Sequence, residues 1–168
     1  MNVRLPLLIG LAGLAVLPGC ALLDPTGAKS RKLESFAPPT EAWRTSVGQV
    51  QYATPERTLV GDAIVSRHGN DRFQFDFLLG PGVPALRLRI DGERAAAEGL
   101  FARGSWSGKT AKPGRMAKWV ALRDLFVAVD AGNPPPDVTV VYANGGRRIE
   151  RLVVPLSETE RLTFAFGR

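Results

Sequence analysis

Three features of this 168-residue chain carry groups able to do chemistry: the lone thiol of Cys20, the lone imidazole of His68, and the serines of Gly104-Ser105-Trp106-Ser107-Gly108. A histidine acting as general base needs a nucleophile and an orienting acid within hydrogen-bond reach. His68 instead falls in His68-Gly69-Asn70-Asp71, a turn sequence that turns its ring to solvent. The glycine-flanked serines look like a nucleophile elbow, but G-x-S-x-G requires serine at the centre, where this chain has Trp106. The segment reads as a loop before a helix, with Trp106 packing down. Glu98, Asp124 and Asp130 are scattered, so no carboxylate pair offers acid–base work. One histidine and one cysteine cannot build a transition-metal site. Gly145-Gly146 lies between strands and does not open a helix as a phosphate loop does. The expectation is a protein that is not an enzyme and uses no cofactor or metal.

Cys20 is explained by what precedes it. One positive charge, Arg4, leads an apolar stretch from Leu5 to Leu17 broken only by Pro6 and small residues. A run of about 13 residues is too short for a ~30 Å hydrocarbon core but suits the apolar region of a signal peptide. The stretch ends in Leu17-Pro18-Gly19-Cys20, which resembles the lipobox of bacterial lipoproteins. There a diacylglycerol is attached to the cysteine and a peptidase cuts before it. The resemblance implies a signal peptide over 1–19 and lipidation, of the palmitate type, at Cys20. Three acyl chains, each methylene contributing ~0.8 kcal/mol when buried, make such an anchor effectively permanent. Ala21 follows where an aspartate would retain the protein at the inner membrane, by resemblance to the enterobacterial sorting rule. That places the protein on the periplasmic face of the outer membrane. Cys20 is the only cysteine, so the exported domain has no intrachain disulfide and must be stable through its core alone.

The chain beyond the leader is long enough for one domain, which at this size buries roughly 68–70% of its unfolded surface. Net charge is +6, and removing the leader lowers it by one through Arg4. A basic surface here is either ordinary solvated charge or an attraction to anionic headgroups. Nucleic acid is not an expected partner of an exported protein. Residues 20–42 are rich in Pro, Ala, Ser and Lys and read as a flexible tether, with a short helical turn around Arg31–Phe36.

The domain, 43–168, is patterned mainly at period two, the mark of half-buried strands. Arg57–Arg67 reads as a first strand. After the turn at His68, Phe73, Phe75, Phe77 and Leu79 share one face, opposite Arg72, Gln74 and Asp76. Beyond Gly80-Pro81-Gly82-Val83-Pro84, Leu86, Leu88 and Ile90 alternate with Arg87 and Arg89. Asp91-Gly92 then signals a hairpin before a weaker strand over Ala95–Phe101. Strands so closely linked form an antiparallel meander with one apolar face to cover. The cover is the segment from about Arg115 to Asp130, where Trp119, Leu122, Leu125, Phe126 and Val129 recur at helical spacing. Val138–Ala143, Arg148–Val154 and Arg161–Phe166 read as closing strands, the first two flanking Asn144-Gly145-Gly146. A mainly β, α+β domain with its sheet wrapped on one main helix follows.

The stretch Asp71–Ile90, DRFQFDFLLGPGVPALRLRI, resembles LolB, the outer-membrane receptor for lipoproteins. It has that family's aromatic-basic strand, its Pro/Gly loop with an exposed apolar residue, and its next alternating strand. The acidic-Gly turn, the Ala-rich strand and the Trp-containing helix follow in the same order. The resemblance implies an antiparallel incomplete β-barrel (a half-barrel) with a helical lid, as in the LolA/LolB group. It also implies a chaperone-like role in protein transport: binding the acyl chains of lipoproteins, or a phospholipid, and assisting their insertion. A periplasmic carrier protein is the partner that would deliver cargo, and Val83 stands in place of the leucine that touches the membrane. Acyl chains form no hydrogen bonds, so a pocket for them needs only apolar area and an opening. Candidate lining residues are Phe73, Phe75, Phe77, Leu86, Leu88, Trp119, Phe126 and Phe164. The residues themselves leave two readings open. These side chains either line such a pocket or form the closed core of a scaffold lipoprotein that binds a protein partner through an exposed strand or its Arg-rich face.

Overall fold

The computed structural model describes residues 33–80, 82–143, 146 and 148–167. The expected signal peptide 1–19, Cys20 and the tether as far as residue 32 lie outside the described residues. So do Pro81 of the Gly80–Pro84 loop and Asn144 and Gly145 of the last hairpin turn.

Among the described residues nine strands form one open antiparallel sheet: β1 Arg44–Ala53, β2 Thr58–His68, β3 Arg72–Leu79, β4 Val83–Asp91, β5 Arg94–Gly99, β6 Gly104–Lys109, β7 Thr139–Tyr142, β8 Ile149–Pro155 and β9 Arg161–Phe166. Their order is β6-β5-β4-β3-β2-β1-β9-β8-β7. The first six meander, β9 returns beside β1, and β6 and β7 are the edges. Between the edges run a 3-10 turn, Gly114–Met116, and two helical segments, α1 Ala117–Val120 and α2 Leu122–Asp130. This is the mainly β, α+β domain expected from the patterning.

Alternation explains the layering. Phe73, Phe75 and Phe77 lie opposite Arg67, Val65 and Ala63 of β2, and opposite Ile90, Leu88 and Leu86 of β4. Residues directly opposite share a face, so these rows form the inner side of the sheet. A slip of one residue would turn the whole Phe row to water, so burial fixes the register. Met116, Trp119, Leu122, Phe126 and Val129 supply the matching apolar stripe from the helical segments.

On the outer face Arg89 pairs with Asp76 (Nη2–Oδ2 3.0 Å) and Arg87 with Glu98 (3.1 Å). The face that reads as Arg-rich in sequence thus carries its own counter-charges. The end of the tether lies over it: Gln74 Nε2 donates to the Ala37 carbonyl at 2.7 Å, and the Arg94 guanidinium sits 5.5 Å from the Phe36 ring centroid. A helical turn is present there, with Phe36 N–H bonded to Leu33 O at 3.0 Å.

Four expectations need correction. The strand at Arg57 is not the first: β1 precedes it. Of the inward positions of β1, Ser46, Gly48, Val50 and Tyr52, only two are large and apolar, which blurs the period-two signal. Gly104–Gly108 is a strand, not a loop, paired with β5 through Ala97↔Trp106, and its small residues hide the alternation. The helix is not continuous from Arg115; it starts as a 3-10 turn and is irregular at Ala121. His68 is the last residue of β2, half-buried with its ring 5.8 Å from that of Trp43.

Candidate functional site

The eight candidate lining residues come together. Phe73, Phe75, Phe77, Leu86, Leu88, Trp119, Phe126 and Phe164 are all buried within one apolar cluster between sheet and helix. Ring centroids are 5.7 Å apart for Phe73–Phe126, 5.6 Å for Phe126–Phe164 and 5.5 Å for Phe75–Phe164. These are ordinary aromatic packing distances, with no room for a chain between the rings in this conformation. Two aromatic rings that the sequence did not single out also pack here, Tyr52 within the buried cluster and Phe101 partly buried against it. Tyr52 and Phe101 pack at 4.8 Å, and Phe101 meets Trp119 at 4.7 Å. Tyr52 lay in the unrecognised strand, while Phe101 sits just beyond β5 in the turn to β6.

The two ends of the sheet differ in character. At one end the β3–β4 and β5–β6 turns meet, with Leu100 N–H bonded to Pro84 O at 3.3 Å. Here Val83 is 57% exposed and Leu100 53%, two large apolar side chains facing water at the same end of the sheet. The other end, where β1 begins and β2 turns into β3, is basic. Clefts of about 480 and 470 Å³ open there, both reaching Arg44, Arg67 and Asp130.

Arg67 is the unexpected residue. It lies on the inner face, in phase with Ala63 and Val65, and is only 7% exposed. Its Nη1 donates to Asp130 Oδ1 at 3.0 Å and its Nη2 to Ser46 Oγ at 3.3 Å. The guanidinium lies 5.1 Å from the Phe126 ring centroid, and its buried Nε has no hydrogen-bond partner among the described residues. Burial pulls the Arg67 pKa below its usual value, with Asp130 opposing that shift. The signal was present in the sequence: an arginine in the inward phase of a strand breaks the apolar row.

The helical segments are pinned at both ends. At the C-terminal end Asp130 holds Arg67 and also Arg44, the latter at 3.2 Å. At the N-terminal end Lys118 pairs with Glu160 of the β8–β9 turn, whose other carboxylate oxygen accepts from Tyr52 Oη at 2.6 Å. Hydrogen bonds from Lys118 and Tyr52 hold the Glu160 carboxyl below its usual range. Burial, then the bond to Glu160, pushes Tyr52 up to about 12. A depressed carboxyl contributes stability above its unfolded pKa and loses it on acidification. A raised phenol contributes stability below about pH 10 and loses it as pH climbs to about 12. Glu160→Gln should therefore flatten the acid limb of a stability–pH curve, and Tyr52→Phe the limb between pH 10 and about 12, read by urea unfolding at each pH. Unchanged limbs would mean that the pin carries no stability.

The groups weighed for catalysis are not assembled. Ser105 and Ser107 lie on β6 and His68 on β2, four strand spacings apart, or about 19 Å along the sheet. No protein-family model and no curated protein matches this chain.

Proposed function

We propose that this chain is a LolB-like outer-membrane lipoprotein. Anchored through Cys20 and facing the periplasm, it takes up acyl chains of lipoproteins or phospholipid and assists their insertion. It acts by apolar burial, with no covalent step and no cofactor. The observation that carries this reading is the construction of the core. An open nine-stranded sheet with an apolar inner face is roofed by two short helical segments, which polar pins hold at either end. Moving that roof would uncover the eight buried side chains as one trough, in the manner of an incomplete β-barrel with a lid. Burying an acyl chain there contributes ~25 cal/mol per Å². The exposed pair Val83 and Leu100 supports contact with the membrane at this end of the sheet.

The packed rings favour one rival reading, a scaffold lipoprotein whose core stays closed and whose partner is a protein. A transfer assay separates the two, with the protein in liposomes and a loaded periplasmic carrier outside. Val83, expected within the Gly80–Pro84 loop, is the first residue of β4, paired with Leu79 but 57% exposed. Val83→Glu therefore sets a charge at an exposed strand end, and the midpoint of thermal unfolding should move little. Transfer should fall by roughly tenfold or more, since the loop no longer enters the interface. Equal transfer by the variant and the parent would remove the membrane role of this loop. No transfer by the parent would favour the scaffold.

A further inference from the structure

The basic end of the sheet is built unlike the rest of the inner face. Every other inward position of β2 and β3 from Ala63 to Phe77 is apolar, yet Arg67 stands among them, more than nine-tenths buried. Removing a guanidinium from water costs several kcal/mol unless its charge is matched. The match here is incomplete, because Asp130 is shared between Arg67 at 3.0 Å and Arg44 at 3.2 Å. Two positive charges thus meet one negative charge, and the Arg67 Nε is left without a partner among the described residues. The surroundings add charge of the same sign. Arg72 and Arg123 line the larger cleft and Arg148 the smaller, while among the described residues Asp130 is the only carboxylate lining either. Arg123 has its own partner in Asp124, at 2.8 Å, and Arg72 in Asp91, at 3.5 Å. Among the described residues the excess positive charge thus rests on Arg44 and Arg67 around Asp130, with Arg148 adding to it. The side chain of Arg44 is 68% exposed and lines the mouth of both clefts.

We infer that this end of the sheet is a binding site for a phosphate-type oxyanion, held by Arg67 at the floor and Arg44 at the rim. Planar guanidinium forks suit the oxygens of a phosphate, and a bound oxyanion would restore charge balance around Asp130. The hydroxyl of Ser46, already in contact with Arg67, adds a neutral donor. The site lies at the far end of the strands from Val83, so it is separate from the membrane-contact loop. It stands whether or not the interior takes up acyl chains. Two sources share this chemistry, a lipid headgroup and free phosphate.

The test uses the full chain in dodecyl maltoside micelles, titrated separately with inorganic phosphate and with glycerophosphoglycerol, a headgroup diester without acyl chains. Binding is read from arginine Nε–H shifts at constant ionic strength. At least one ligand should saturate, and Arg44→Gln should weaken it about tenfold, the loss of one charge-assisted contact. Arg87→Gln on the outer face should leave it unchanged. Tighter binding of the diester assigns the site to headgroups, and tighter binding of phosphate assigns it to the free ion. Arg67→Met, which replaces the buried charge with an apolar side chain, should abolish saturation. If it does not fold, Arg44→Gln decides alone. Shifts that never saturate, or equal weakening by Arg44→Gln and Arg87→Gln, would overturn the site in favour of nonspecific screening.

Discussion

Phe164→Ala should lower the unfolding free energy by about 3–5 kcal/mol, the range for truncating a fully buried aromatic ring. Phe164 lies on β9, the strand that returns beside β1, and its ring meets three others. Phe75 on β3 approaches at 5.5 Å, Phe126 on α2 at 5.6 Å and Phe166 at 5.7 Å. It therefore joins the meander, the C-terminal strands and the helical roof at one point, and all of its neighbours lose contacts together. Collapse around the missing ring is opposed on two sides by strand pairing, Val50↔Phe164 and Leu152↔Phe164, which fixes the backbone. Urea unfolding of the variant reads the effect directly. A loss below about 1.5 kcal/mol would mean that the roof resettles into the space. That outcome would itself favour a movable lid over a closed core. Stability and proposed function are thus linked through one side chain.

Where the sequence was legible, a single strong pattern covered the segment. Phe73, Phe75 and Phe77 against Leu86, Leu88 and Ile90 carry both the pairing and the inward face, and the structure places all six in the core. The helical stripe of Trp119, Leu122, Phe126 and Val129 was equally plain. Legibility failed where small or polar residues occupy inward positions. Gly48 and Ser46 on β1 carry little apolar signal, and on β6 only Trp106 stands out among glycines and serines, so neither strand shows a clear alternation. Among the site residues, the apolar set could be named because burial follows from pattern. The polar set could not. The Arg67–Asp130–Arg44 group joins β2, α2 and β1, and the Lys118–Glu160–Tyr52 group joins α1, the β8–β9 turn and β1. The β1–β2 register sets Arg44 opposite Arg67, and the packing of the helix adds Asp130; the return of β9 beside β1 brings Glu160 to Tyr52.

Gly61→Val should cost about 3 kcal/mol or more, at the upper end of what overpacking does. Gly61 faces inward on β2, opposite Val50, at the point where β3 leans closest. A Cβ built there would stand 2.0 Å from the Leu78 carbonyl oxygen and 3.0 Å from the Phe77 ring. The first of these is backbone, so no side-chain rotation relieves it. Next to this point the β3–β4 register shifts between Phe77 and Leu78, the local irregularity by which a sheet bends. Gly48 does the same for β1 against β9, its Cβ position lying 2.1 Å from the Ala165 carbonyl oxygen. At both glycines the backbone of the neighbouring strand comes too close for a side chain, the close approach that lets a sheet bend. If curvature is what Gly61 supplies, the variant should lose near-ultraviolet aromatic dichroism and protection of the Trp119 indole while keeping its far-ultraviolet strand signal. A variant with unchanged urea midpoint and unchanged aromatic signal would show that β2 and β3 can separate at this point without cost. The curl would then have to come from the bulge in β4 instead.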